Sequence, residues 1–268
     1  MKNKNYLNRI QLWKPTLLIV LLLGFSCKDK TADTKKSDTQ ELATTEDGFI
    51  SIFNGESLAG WEGDTRLWRI EDGTLIGEIT PDKPLENNTF LIWQEGMPQD
   101  FELKLEFRIT ESGNSGVNYR SERVDGIPFA LKGYQADIDG KNSYTGQNYE
   151  ERKRTTLAYR GEKAVIKPQE REDAMSVGIQ NNAWQNREVI ESLGNSDSLR
   201  TLIKSESWNE CHLIIKGNRL QHYINGVLMS EVIDEDTVNG RSSGHLGLQL
   251  HVGPPMTVAY RNIRLKNL

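Results

Sequence analysis

Residues 101–109 read FELKLEFRI, and their spacing decides the fold. Phe101, Leu103, Leu105, Phe107 and Ile109 fall on one side of an extended chain, and Glu102, Lys104, Glu106 and Arg108 fall on the other. Successive side chains of a strand point to opposite faces, so a period of two held along this whole run describes a strand with one buried and one wet face. Working outward, RLQHYINGVLMSEV (219–232) gives two such runs around Asn225-Gly226, a pair that accepts the positive φ angles of a tight hairpin. Further turn signals fall at Asn54-Gly55, Asp72-Gly73, Asp125-Gly126, Asp139-Gly140, Gly217-Asn218 and Asn239-Gly240. Short strands separated by turns, without βαβ alternation, predict an all-β, antiparallel two-sheet sandwich. It spans residues 48–268, which makes it a large jelly roll rather than an immunoglobulin-sized domain. Residues 168–207 are polar and read as a short irregular or partly helical insertion, with REVIESL (187–193) as its helix.

The N-terminal residues have a different character. Lys2, Lys4, Arg9 and Lys14 precede the apolar run TLLIVLLLGF (16–25), the layout of a signal peptide over residues 1–26. Cys27 follows almost at once and resembles the lipobox of bacterial lipoproteins, in which the thiol is lipidated and the chain is cut before it. Residues 27–47 then form a charged, Thr-rich tether that buries too little apolar surface to offset its ordering entropy. The expectation is a lipid-anchored protein of the bacterial cell envelope, on the periplasmic or outer-membrane face. The second thiol, Cys211, is then left alone.

Across all 268 residues the formal net charge is −5. The basic leader hides the true balance: residues 48–268 hold 25 Lys and Arg against 32 Asp and Glu, a charge of −7. Such a surface offers no field for a nucleic-acid backbone or for anionic headgroups, so contact with a membrane would rest on the lipid. A mean hydropathy of −0.60 excludes a polytopic membrane protein.

Three strands carry chemistry. GVNYR (116–120) sends Val117 and Tyr119 inward, with Asn118 and Arg120 outward. YQADID (134–139) sends Tyr134, Ala136 and Ile138 inward, with Gln135, Asp137 and Asp139 outward. HLGLQLH (245–251) sends its leucines inward, with Gln249 and His251 outward. If these strands are neighbours, the outward rows converge on one groove. Asn, Gln, Asp and Arg can each bond two adjacent hydroxyls, which makes carbohydrate the expected partner. Glu150, in the charge cluster NYEERKR (148–154), is placed to overhang the same groove. Most tryptophans read as core, with Trp184 as the exception, and His212 and His222 read as structural. No zinc-ligand spacing and no G-x-S-x-G nucleophile motif is present.

FISIFNGESLAGW (49–61), LWRIEDGTLIG (67–77), FELKLEFRITESGNSGVNYRS (101–121), GYQADID (133–139), WNECHLIIKGNRLQHYINGV (208–227) and GHLGLQLH (244–251) together resemble the 3-keto-disaccharide hydrolase domain family. The resemblance implies a concanavalin A-like jelly roll acting on glycosides whose sugar carries a ketone at C3. That ketone acidifies the C2 hydrogen, so a base there drives elimination of the C1 substituent, and water then adds back. Face geometry and block position offer Asp137 or His251 as the base, Arg120 or a bound divalent cation on the oxyanion, and Glu150 as the acid. Asn118, Gln135, Asp139 and Gln249 would orient hydroxyls. No cofactor is fixed by the sequence. Two other readings stay open, a non-catalytic lectin-like domain and a two-carboxylate glycosidase acting on unoxidised sugar. Metabolic labelling with an alkyne fatty acid should mark the protein in a bacterial host, and Cys27→Ser should abolish the label. A label that survives the substitution would remove the anchor.

Overall fold

The computed structural model describes residues 47–268. The expected leader, Cys27 and all but the last residue of the expected tether lie outside the described residues. In chain order the strands are β1 (Ile50–Ser51), β2 (Trp61–Glu62), β3 (Trp68–Glu71), β4 (Thr74–Ile79), β5 (Thr89–Trp93), β6 (Phe101–Ile109), β7 (Asn114–Arg123), β8 (Leu131–Asp139), β9 (Asn148–Glu151), β10 (Thr155–Ala158) and β11 (Glu162–Ile166). Helix α1 (Ala174–Asn181), strand β12 (Arg187–Ser192) and helix α2 (Ser196–Arg200) follow. The chain ends with β13 (Asn209–Lys216), β14 (Arg219–Ile224), β15 (Val227–Asp234), β16 (His245–Leu250) and β17 (Met256–Asn267).

These strands form two sheets. One has ten strands in the order β12-β11-β15-β14-β13-β6-β17-β4-β3, with β1 paired to β17, and the other has seven in the order β10-β9-β8-β7-β16-β5-β2. Every pairing between these strands is antiparallel except β11 with β15. Strand β6 alternates as its sequence requires, with its five apolar residues buried. They pack in one core cluster with Val117, Tyr119, Tyr134, Ala136, Ile138, Leu246, Leu248 and Leu250 from the facing sheet. Each buried Val, Leu, Ile or Phe among them contributes about 1.5–3 kcal/mol relative to exposure. The β14–β15 hairpin turns at Asn225 and Gly226, with φ of 50° and 78°.

Two expectations for the insertion do not hold. REVIESL does not form a helix: residues 187–192 are an exposed edge strand, paired antiparallel to β11. The β-branched pair Val189-Ile190 suits that edge, and tertiary pairing overrides a weak local helix preference. Trp184 is buried at 1 % exposure and its indole donates to the Lys167 carbonyl, so it belongs to the core.

At one side of the sandwich a buried ionic cluster ties the two sheets together. The Arg154 guanidinium meets Glu150 at 2.5 Å, Asp234 at 2.7 Å and Asp236 at 3.2 Å, and the Tyr134 hydroxyl donates to Asp234 at 2.5 Å. Lys153 adds a contact of 3.2 Å to Glu150. Arg154→Met would leave three carboxylates buried without their common partner. Urea unfolding should show a loss of about 3–5 kcal/mol, and a loss below about 1 kcal/mol would mean that the cluster does not hold the sheets.

Candidate active site

Strands β9, β8, β7 and β16 are consecutive neighbours, so the polar rows expected from three of them share one face of the seven-stranded sheet. The register sets Gly116 opposite Asp137, and Asn118 opposite Gln135 and Gly247. Gly116 matters for what it lacks. A Cβ there would lie 2.4 Å from Gln135 Nε2, so the bare backbone lets Gln135 on β8 and Gln249 on β16 meet across β7. Gln249 Nε2 donates to Gln135 Oε1 at 3.1 Å, and Gln135 Nε2 donates to Asp137 Oδ1 at 2.7 Å. From the other side Gln147 Nε2 donates to Asp137 Oδ2 at 2.5 Å.

Asp137 is thus buried, at 8 % exposure, with one amide on each oxygen. Burial pushes its carboxyl up, the Gln147 and Gln135 amides pull it part of the way back, and Glu151 and Asp139 add repulsion, leaving it near 7. A carboxylate with that value exchanges protons at neutral pH.

Asp137 sits in the wall of a pocket of about 220 Å³. Gln135, Gln147, Tyr149, Glu151 and His251 line it with Asp137, and Asn114, Tyr144 and Asn182 complete the rim. Neither Arg nor Lys lines it. Glu151 accepts from the Asn88 amide at 2.9 Å and from the Gln249 amide at 3.4 Å. His251 Nδ1 lies 2.6 Å from the Val252 carbonyl. That contact assigns the proton of the neutral ring to Nδ1 and leaves Nε2 as the open position. Burial, with Glu151 and Asp137 adding to it, pushes the Tyr149 phenol well up, so it remains a donor.

Among the residues expected at the site, the structure brings together Asp137, Gln135 and His251, with Gln249 fully buried in the amide web beside them. Four others go elsewhere. Arg120 leaves the groove because its φ is 44°, at a register shift between Tyr119 and Glu122 that ends the alternation. Its guanidinium clasps the carbonyls of Gln99, Gly217 and Arg241 and the Asp100 carboxylate. Glu150 faces inward, opposite Tyr134, and is spent on Arg154. Asp139 is taken up by the backbone N–H groups of Ser143, Tyr144 and Thr145, which makes it a loop cap. Asn118 is fully buried, and its amide donates to Ser121.

Glu151, Gln147, Tyr149 and Asn182 were not expected. Glu151 and Tyr149 were within reach of period-two reasoning had the register of β9 been known. Gln147 enters by way of the 140–147 turn, which no periodicity describes. The donor set does not fit a cation: among the described residues no group of three or more His, Cys, Asp or Glu side chains could hold a metal ion. Both Asp137 oxygens already accept amide protons. The alternative of a cation at the oxyanion therefore gains no support.

Residues 48–266 match the family model described as the 3-keto-alpha-glucoside-1,2-lyase-like domain. A curated 3-keto-disaccharide hydrolase of Bacteroides thetaiotaomicron is 29 % identical over 102 residues, covering 35 % of this chain and 35 % of the relative. The chain thus matches about a third of the length of that protein. Two solved structures of candidate glycosyl hydrolases from Parabacteroides distasonis share the fold. One is 18 % identical with a TM-score of 0.50, covering 84 % of this chain and 98 % of its own. The other is 16 % identical with a TM-score of 0.50, covering 82 % and 99 %. These likenesses bear on the jelly-roll fold alone.

Because Gly116 is what admits the Gln135 side chain, Gly116→Ala should displace Gln135 from Asp137. Losing an amide that favours the carboxylate raises its titration midpoint, by about one unit, as read by carbon-13 NMR of the Asp137 carboxyl in a protein that circular dichroism shows to be folded. An unmoved midpoint would show that the Gln135 bond does not depend on the bare backbone.

Proposed function

The chain belongs to the 3-keto-alpha-glucoside-1,2-lyase-like domain family, and from that premise we propose that it cleaves the glycosidic bond of 3-keto glycosides with Asp137 as the base at C2. The observation that carries the proposal is the Asp137 carboxylate, buried, pinned by two amides and poised near 7 in a pocket lined by neither Arg nor Lys. A base is most effective when its own value lies near the working pH.

Asp137 takes the C2 proton, and the electron pair left behind forms the C2–C3 double bond of an enediolate with the charge on the C3 oxygen. The neutral donors available to that oxygen are the Tyr149 phenol and the Asn182 amide. When the C3 carbonyl re-forms, the pair moves between C1 and C2 and the C1–oxygen bond breaks. The leaving oxygen then takes the proton that Asp137 holds. Glu151, whose oxygens already accept from the Asn88 and Gln249 amides, is placed to accept from a sugar hydroxyl. Water addition at C1 reverses the proton movements: Asp137 takes a proton from the attacking water, whose position the open Nε2 of His251 can fix by accepting a hydrogen bond, and gives one back to C2. The net reaction consumes one water and yields the 3-keto sugar and an alcohol.

A second reading has an observation behind it. Asp137 and Glu151 line one pocket, as a two-carboxylate glycosidase on unoxidised sugar would need. One assay separates the two readings. Purified protein given a chromogenic 3-keto-glucoside and its unoxidised parent should release chromophore only from the first, and Asp137→Asn should lower kcat/KM at least a thousandfold. Release from the unoxidised parent would overturn the proposal. No release from either substrate, with binding retained, would leave a lectin.

The pH dependence follows from the raised value. The base works when ionised, so kcat/KM should climb as pH rises through about 7. Stability moves the other way. The folded protein holds the Asp137 proton up to about 7, whereas the unfolded chain releases it near 3.8, so ionisation costs stability progressively across that window. Asp137→Asn should therefore gain in Tm over the wild type as pH rises from 4 to 8. A margin that shrinks over that range would contradict a raised carboxyl.

A further inference from the structure

Behind the pocket, inside the core, a buried histidine touches the turn that delivers Gln147 to Asp137. His222 lies on β14 of the ten-stranded sheet at 1 % exposure, between the buried Leu220 and Ile224. Its ladder neighbours are Leu213 on β13 and Ser230 on β15, both fully buried. An imidazole in such a stripe loses its water and must find its hydrogen bonds inside the protein. It finds them across the core, on the other sheet. Nε2 lies 2.8 Å from the Tyr119 hydroxyl and 3.2 Å from the Asn148 amide nitrogen, and Nδ1 lies 3.3 Å from the Gln147 carbonyl oxygen. We propose that His222 is a positioning residue for the base, setting the Gln147 peptide so that its side-chain amide meets the Asp137 carboxylate. That Asp137 is a base rests on the proposed reaction, whereas the coupling of the His222 ring to its carboxyl does not.

The partners fix where the imidazole proton lies. A carbonyl only accepts, so Nδ1 carries the proton and donates to Gln147, and Nε2 is left to accept. The Tyr119 hydroxyl donates to Nε2 and in turn accepts from the Asn148 amide at 3.1 Å. Burial keeps the imidazole neutral down to about 4, against the pull of the Gln147 carbonyl. Burial also keeps the Tyr119 phenol protonated, and its ring meets the imidazole edge-on with centroids 5.6 Å apart. Tyr119 and Asn148 thus orient the ring from one side, and its Nδ1–H faces the turn from the other.

Gln147 needs such a hold because it lies where the sheet gives out. The β8–β9 ladder ends at the Ala136–Asn148 pair, one residue short of it. Its carbonyl takes a long bond, 3.4 Å, from the Asp137 N–H. Gly146 before it has a φ of 93°, and a Cβ there would lie 2.8 Å from the Met229 Cβ. The His222 donor reaches that carbonyl from the opposite sheet, and the Cα–Cβ direction of Gln147 follows the peptide. The side chain then runs away from the core and brings Nε2 to 2.5 Å from Asp137 Oδ2. Without the imidazole the peptide can turn, and a shift of about 1 Å at a reacting group costs about a hundredfold in rate.

Three substitutions separate the donor from the bulk of the ring. His222→Asn keeps a donor near the Nδ1 position, His222→Gln places its amide near Nε2, and His222→Leu has neither. Glu151, Asp139, Tyr149 and His251, the ionisable groups facing Asp137, are present in all three. Carbon-13 NMR of the Asp137 carboxyl should place its midpoint about one unit higher in the Gln and Leu variants, which lose an amide favouring the carboxylate. In the Asn variant it should stay within about 0.3 unit of the wild type. On a 3-keto-glucoside, the Gln and Leu variants should lose about tenfold in kcat/KM at pH 6, through kcat with KM within about twofold. Equal midpoints in the Asn and Gln variants would refute the proposal, since packing alone treats the two alike. Nitrogen-15 NMR of the wild-type imidazole, which depends on no variant folding, should find the proton on Nδ1, and a proton on Nε2 would refute it as well. A wild type inactive on the keto substrate, with midpoints that still separate Asn from Gln and Leu, would overturn the proposed reaction and uphold the positioning.

Discussion

The two-residue repeat of the extended chain governs both the core and the site. Burying Tyr134, Ala136 and Ile138 of β8 against the ten-stranded sheet leaves Gln135, Asp137 and Asp139 no choice but the opposite face. The same constraint on β16 turns Gln249 outward when Leu248 and Leu250 go in. Apolar burial, which provides most of the folding free energy, therefore aims the polar rows without any interaction of their own. Adjacent strands then bring the rows together, and a slip of one residue would exchange core and site wholesale.

What that constraint does not provide is an environment for Asp137. A carboxylate turned outward on a sheet would normally meet water and keep its ordinary value. Here the 140–147 turn folds back beside it, bringing Gln147 to one oxygen while Gln135 holds the other. The amide web fixes the carboxylate in place and limits how far burial raises it, so that the group is reactive near neutrality instead of staying protonated. Bare backbone at Gly116 makes the web sterically feasible, and the Asp139 cap holds the turn that delivers Gln147. The cost is stability at neutral pH, the usual exchange at a site built for proton transfer.

The sequence was legible wherever alternation ran unbroken. The inward and outward sets of β6, β8 and β16 follow from spacing alone, as does the Asn225-Gly226 hairpin. Failures cluster where the backbone departs from regularity. Arg120 misleads because one left-handed residue at a register shift rotates its side chain away from the groove. Glu150 and Glu151 differ by one position and by one face, and the face depends on how the 140–147 turn re-enters the sheet, which composition does not reveal. Residues 187–192 carry the spacing of either element, and only pairing with β11 decides for a strand. Trp184 looked like a surface aromatic because its neighbours are polar, yet the insertion wraps its ring against the core.

The absence of Arg120 from the pocket makes chemical sense. A guanidinium close enough to stabilise an oxyanion at C3 would stand within a few ångströms of a base working at C2. Opposite charge at that range favours the carboxylate and lowers its value by about 1–3 units, which would cancel much of what burial achieved at Asp137. A weaker base would then face the same C2 proton. Neutral donors avoid that conflict: the Tyr149 phenol and the Asn182 amide offer hydrogen bonds to a developing charge without a formal charge of their own. The pocket thus reserves its electrostatics for the base and leaves the oxyanion to dipoles, while the arginine that strand alternation offered for catalysis serves outside the pocket as a clasp between loops.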